Sequence, residues 1–138
     1  MPPVGGGASP APVSISSAEI YHQGTGIFTN AGKLGVARAS HSATLLPSGI
    51  VLVAGGYDLG FDGDADPYVE TMFAAELFNP GTFNSTSAAS LESARAEHAA
   101  TLLNNGQVLV TGGRYESQEL CCHPHPFIVN LIRAELYK

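Results

Sequence analysis

The chain has 138 residues and a formal net charge of −6, from 12 acidic and 6 basic side chains. Lys33 and Lys138 are its only lysines, and no basic stripe runs along it. Phosphate and anionic-lipid surfaces are held by clustered Lys and Arg, so nucleic acid and membrane are excluded as expected partners. The longest apolar run, Ile50 to Ala54, is far short of the roughly 20 residues that span a bilayer as a helix.

Residues 1–16 are rich in Pro and Gly and read as a flexible lead-in. They carry no basic region followed by an apolar one, so no signal peptide is expected. Glu19-Ile20-Tyr21 then reads as a short strand, and the stretch around Phe28-Thr29 as another. Ser42 to Leu46 and Ile50 to Ala54 form an apolar pair of strands across Pro47-Ser48-Gly49. The second is a continuous apolar run, which suits a strand covered on both faces. Gly55-Gly56 closes it, where glycine permits positive φ and close backbone approach. After an insertion from Tyr57 to Met72, strands are expected at Glu76-Leu77-Phe78 and around Phe83-Asn84. The paired strands then return as Ala99 to Leu103 and Val108 to Thr111, across Asn104-Asn105-Gly106. Asn-Gly is a strong hairpin signal because type I′ turns need positive φ at both central residues. Gly112-Gly113 follows, then a second insertion from Arg114 to Ile132, then Ala134-Glu135-Leu136-Tyr137. No segment has helical periodicity.

These strands repeat. A gap-free offset of 57 residues lays Ala18-Glu19 on Ala75-Glu76, Arg38 on Arg95, and His41 on His98. It also lays Ala43 to Leu46 on Ala100 to Leu103, and Gly55-Gly56 on Gly112-Gly113. More than half of the positions from Ala18 to Gly56 are identical under this offset. A third copy starts at Ala134-Glu135. A repeat of this length holding four short strands fits a propeller blade rather than a helical repeat.

The residues Arg38-Ala39-Ser40-His41, the apolar strand ending in Gly55-Gly56, and Glu76-Leu77-Phe78-Asn79-Pro80 resemble the kelch repeat in its bacterial form, which is similar to the central propeller of galactose oxidase. The resemblance runs from about residue 17 to residue 138. It implies an all-β fold: a partial, open β-propeller of four-stranded antiparallel blades, with copies starting near residues 18, 75 and 134. A complete blade is expected from about Ala39 to Thr86, preceded by the third and fourth strands of one blade and followed by the first three of another. Many kelch repeats carry Trp in the fourth strand. This chain has none, and Phe28 and Phe83 stand in its place. About two blades fall short of the 4–8 that close a ring. The chain therefore reads as a piece of a larger propeller, whose open faces call for further blades or self-association.

The recurring polar residues, Glu19, Arg38, His41, Glu76, Arg95, His98 and Glu135, read as scaffold together with Gly55, Gly56, Gly112 and Gly113. Glu76 is expected to pair with Arg38 or Arg95, because a buried charge must be paired. Repeat proteins keep function in their loops, which points to the first insertion with Asp58, Asp62, Asp64, Asp66 and Glu70 as the candidate binding loop. Asp62-Gly63-Asp64-Ala65-Asp66 resembles the start of a calcium loop. However, Pro67 stands where an EF-hand needs Gly and Phe73 where it needs Glu, so a solvated acidic loop is the reading. The second insertion holds Cys121-Cys122-His123-Pro124-His125, adjacent soft ligands without a second pair elsewhere. Asn84-Ser85-Thr86 is a glycosylation sequon by pattern. No metal, cofactor or catalytic residue is assigned. The expected function is a non-enzymatic binding or scaffold module that binds protein or carbohydrate through its loops, or one whose only role is to complete a larger ring. The alternative that the resemblance brings is part of a copper oxidase. The composition leans toward a secreted or cell-surface parent.

Overall fold

The computed structural model describes residues 13–61, 67–117 and 127–138, all in strands, turns and extended segments. The strands are β1 (Ser17–His22), β2 (Ile27–Lys33), β3 (Ser42–Leu45), β4 (Val51–Ala54), β5 (Tyr57–Phe61), β6 (Pro67–Thr71), β7 (Ala75–Asn79), β8 (Asn84–Ala88), β9 (Ala99–Leu102), β10 (Val108–Thr111), β11 (Arg114–Ser117), β12 (Phe127–Asn130) and β13 (Ala134–Tyr137). They form four antiparallel sheets and no closed barrel. The first is β1-β2, the second β3-β4-β7-β8, the third β9-β10-β13, and the fourth β5-β6-β11-β12.

The period-2 alternation of the apolar strands explains how the first three sheets pack. Residues on β4 point alternately to opposite faces of its sheet. Val51 and Val53 meet Ala31 and Leu34 of the first sheet and its exit segment, together with Phe78, Ala18 and Ile20. Leu52 and Ala54 point the other way and pack with Ala75, Leu91, Val108 and Val110 on the side of the third sheet. A strand that serves two interfaces has no polar face to offer, which is why 50–54 reads as an unbroken apolar run. Burying a side chain such as Leu52, which is 1% exposed, contributes about 1.5–3 kcal/mol. Backbone bonds cross the same interface: Gly56 donates its N–H to the Arg95 carbonyl at 2.9 Å, and Glu97 donates to the Ser40 carbonyl at 3.0 Å.

The repeat is written into the backbone as well. Ser40 and Glu97, equivalent by the 57-residue offset, are both non-glycine residues with positive φ, at 54° and 56°. β4 pairs with β7 exactly as β10 pairs with β13, Ala54 opposite Ala75 and Thr111 opposite Ala134. Phe28 and Phe83 do not share a position, contrary to the expectation that both fill the fourth strand. Phe28 lies within β2 opposite Tyr21, whereas Phe83 lies in the turn before β8 with φ at 60°. The equivalent of Phe28 in β8 is Ser85, opposite Phe78.

Two further differences concern the boundaries. Residues 1–12 lie outside the described residues, but Ser14, Ile15 and Ser16, placed in the lead-in by composition, are bonded into the fold. Ser14 donates its N–H to Leu59, Ile15 accepts from Arg38, and Ser16 accepts from Leu34. The insertions are not plain loops. Their flanks form β5-β6 and β11-β12, hairpins that leave the ends of β4 and β10 and join edge to edge through Glu70 and Ser117. Thr71 Oγ1 donates to the Glu116 carbonyl at 2.6 Å and accepts the Glu116 N–H at 2.7 Å, fixing that junction.

Candidate functional site

The recurring polar residues come together twice, in the same way. Arg38 is 3% exposed and Glu76 4%. Arg38 Nη2 pairs with Glu76 Oε1 at 2.6 Å, while its Nη1 donates to the carbonyls of Gly55 at 2.9 Å and Ala74 at 3.0 Å. One repeat later, Arg95 Nη2 pairs with Glu135 Oε1 at 2.9 Å, and its Nη1 donates to the carbonyls of Gly112 and Arg133 at 2.9 and 3.0 Å. The planar guanidinium suits this role because it can serve a carboxylate and two carbonyls at once. Glu76 also accepts from the Gly35 and Val36 N–H groups and the Ser85 hydroxyl. Burial pushes the Glu76 carboxyl up, but the donors Ser85, Gly35, Arg38 and Val36 hold it below its ordinary value. Glu135 accepts from the Glu92 N–H, the repeat equivalent of the Gly35 bond. Glu19 is exposed in β1 opposite Asn30, and among the described residues it makes no ion pair.

His98 serves the stack of sheets. His98 Nε2 and the Ser42 hydroxyl share a hydrogen bond of 2.8 Å across the interface between the third and second sheets. Burial, with Arg95 beside it, holds the His98 imidazole below its ordinary value, so the neutral ring is the form the fold prefers. Partial desolvation and the neighbouring Arg38 act on His41 in the same direction. A group whose folded pKa is depressed supplies stability above its unfolded value, and that stability is lost as pH falls. Stability is therefore expected to drop below about pH 6.5. In His98→Gln, urea denaturation from pH 7.5 to 5 should show a shallower drop. An unchanged slope in that variant would reject a titrating His98.

Three of the four paired glycines sit where backbone approaches closely. A Cβ on Gly56 meets the Ala39 carbonyl at 2.6 Å, and one on Gly113 meets the Ala96 carbonyl at 2.6 Å, again equivalent positions. Gly55 faces the Arg95 carbonyl and the His98 ring. Its equivalent Gly112 meets only the Leu131 carbonyl, at 3.9 Å.

The acidic insertion residues are divided by the structure. Asp58 on β5 stands directly opposite Glu70 on β6. Asp62, Asp64 and Asp66 lie outside the described residues, as do Cys121, Cys122, His123 and His125. Asp58 accepts from the Ser14 hydroxyl at 2.9 Å and the Tyr68 hydroxyl at 3.1 Å. Its own bond to the Asp58 carboxylate, and that carboxylate's charge, push the Tyr68 phenol up. On the opposite face of this sheet, Tyr57 is buried and its hydroxyl accepts from Arg114 Nε at 2.8 Å. Arg114 in turn pairs with Glu97 at 2.6 Å in solvent. Among the described residues no three His, Cys, Asp or Glu side chains gather as a metal would need.

Beside Glu70 lies a groove of about 340 Å³, with Tyr68, Phe73, Ala94 and Tyr115 among its lining residues. The tyrosines and Phe73 are functional candidates that residue patterns did not single out. The alternation Tyr57-Asp58-Leu59-Gly60-Phe61 and the run Phe127-Ile128-Val129 were signals for strands inside the insertions. The chain matches no protein-family model and no curated protein sequence.

Proposed function

We propose that the chain is a non-enzymatic repeat module of the kelch type, which binds a protein or carbohydrate partner through its insertions. The observation that carries this reading is the duplicated Arg–Glu unit. Arg38 pairs with Glu76 and Arg95 with Glu135, each arginine bonding backbone carbonyls of its own copy and each glutamate backbone N–H groups of the copy before it. Side chains spent on holding a repeated scaffold are not free for chemistry, and recognition is left to the segments that differ between copies. The two insertions are those segments, and their strands form a separate sheet that borders a groove.

On this reading the sheets are blades, and the face of the third sheet that carries Leu109 and Leu136 is the equivalent of the Leu52 and Leu77 face that the third sheet itself covers. A further blade or a second copy of the chain is its proposed cover. The oxidase alternative is supported by the sequence resemblance alone.

The test is a panel of immobilised oligosaccharides and peptides, probed with the full chain and with a variant in which residues 58–70 are replaced by Gly-Ser-Gly. Binding that disappears in the variant, with the β-sheet circular dichroism retained, is the expected result. Binding unaffected by the replacement, or none to any panel member, overturns the reading. Peroxide production from a primary alcohol after copper loading would favour the oxidase instead.

A further inference from the structure

The groove beside Glu70 has a chemistry of its own. Its rim brings together the rings of Tyr68, Phe73 and Tyr115 with the Glu70 carboxylate, and among the described residues no Lys, Arg or His lines it. Anionic ligands therefore find no charge partner there. Glu70 is exposed, and its direct cross-strand neighbour is another carboxylate, Asp58. Like charges opposite one another destabilise a sheet. Among the described residues, neither forms an ion pair with a basic side chain. Asp58 is engaged by two hydroxyl donors, Ser14 and Tyr68, which leaves Glu70 as the charge that faces the groove.

The floor is fixed. Phe73 accepts the Leu91 N–H at 2.8 Å, Met72 accepts the Arg95 N–H at 3.1 Å, and Thr71 is clamped to Glu116. A cation on the groove would gain attraction to Glu70, relieve the Asp58–Glu70 repulsion, and contact aromatic rings whose faces attract positive charge. The volume is at the lower end of ordinary ligand sites, the size of a side chain rather than of a folded surface.

Resting on the reading of the chain as a binding module, we propose that this groove receives a lysine or arginine side chain of a partner polypeptide. Glu70 is the charge partner, and Tyr68, Phe73 and Tyr115 are the walls.

The experiment is a nuclear magnetic resonance titration of the isotopically labelled full chain with an acetylated, amidated tetralysine peptide. Maltotetraose is titrated in parallel, each at low salt and at about 0.3 M salt, where surface charge interactions are strongly screened. Tetralysine is expected to shift the Glu70, Phe73 and Tyr115 amides, with affinity falling in salt. Glu70→Gln should weaken it about 5-fold and Tyr115→Leu about 3-fold. Both are partly or fully exposed positions, and unchanged spectra elsewhere report that the variants are folded. The proposal is overturned if tetralysine leaves those amides unmoved or binds both variants as tightly as the parent chain. It is also overturned if maltotetraose occupies the groove with salt-independent affinity that survives Glu70→Gln. That last result would leave the wider binding-module reading intact, since it replaces only the ligand.

Discussion

Arg38→Met is expected to cost about 3 kcal/mol of stability, read as a lowered urea midpoint with an unchanged slope. The reason is the environment of Glu76. Its carboxylate is buried and faces the Arg38 guanidinium at 2.6 Å. Removing the arginine leaves a buried charge with only neutral donors, Gly35, Val36 and Ser85. The same substitution also strips donors from the carbonyls of Gly55 and Ala74. Adding Glu76→Leu should recover part of the loss, because removing both charges is far less costly than removing one. It will not recover all of it, since the Gly35 and Val36 N–H groups then lose their acceptor. The pH dependence has a definite sign. The Glu76 carboxyl is held below its ordinary value, so its contribution is present above the unfolded carboxylate pKa and is lost as pH falls through the folded one. Below that point the gap between the parent and Arg38→Met should narrow, leaving the loss at the Gly55 and Ala74 carbonyls. A single-variant cost under about 1 kcal/mol, the worth of an exposed pair, would show that this ion pair is solvated.

The second large effect separates two glycines that the sequence cannot tell apart. Gly55 and Gly112 occupy the same repeat position and have similar φ, 63° and 67°. Alanine at either position meets the left-handed backbone penalty of about 1–2 kcal/mol. At Gly55 the new methyl also runs into the Arg95 carbonyl, and into the His98 ring at 2.9 Å, while at Gly112 its nearest neighbour is the Leu131 carbonyl at 3.9 Å. Overpacking of this kind adds about 1–3 kcal/mol. Gly55→Ala is therefore expected to cost about 3 kcal/mol or more and Gly112→Ala about 1 kcal/mol, measured by thermal and urea unfolding. Equal costs would mean that Gly55 does not face a neighbouring sheet.

The repeat made the stacked sheets legible before any coordinates. Its offset places Arg38 over Arg95 and brings Glu135 into the role of Glu76, and a buried charge demands a partner, which left Arg38 and Arg95 as the candidates for Glu76. The pairing of Glu76 with Arg38 rather than Arg95 follows from chain path: Arg38 immediately precedes the strand pair that carries β7. The hydroxyl partners were not legible. Ser85 and Ser42 are replaced by Phe28 and Ala99 at their equivalent positions, so the repeat carries no sign of their roles. The insertions were read as loops because Asp and Gly dominate the middle of the first and Cys, His and Pro that of the second. Composition at a hairpin tip hides the strands on either side of it. The groove follows from that hidden sheet. Tyr68 and Tyr115 come from different insertions, and only the pairing of β6 with β11 brings them together.

The repeats form sheets packed face to face, with the geometry of one copy reproduced against the next. Amide hydrogen exchange at two positions tests it most directly. The Gly56 and Glu97 N–H groups lie outside the strands, and their acceptors, the Arg95 and Ser40 carbonyls, belong to the neighbouring repeat. If the sheets are stacked, both amides should be protected to about the same degree as those of Leu52 and Val53 within β4, because all four open only when the core opens. Exchange of Gly56 and Glu97 at the rate of an unstructured chain, with β4 still protected, would contradict the stacked arrangement.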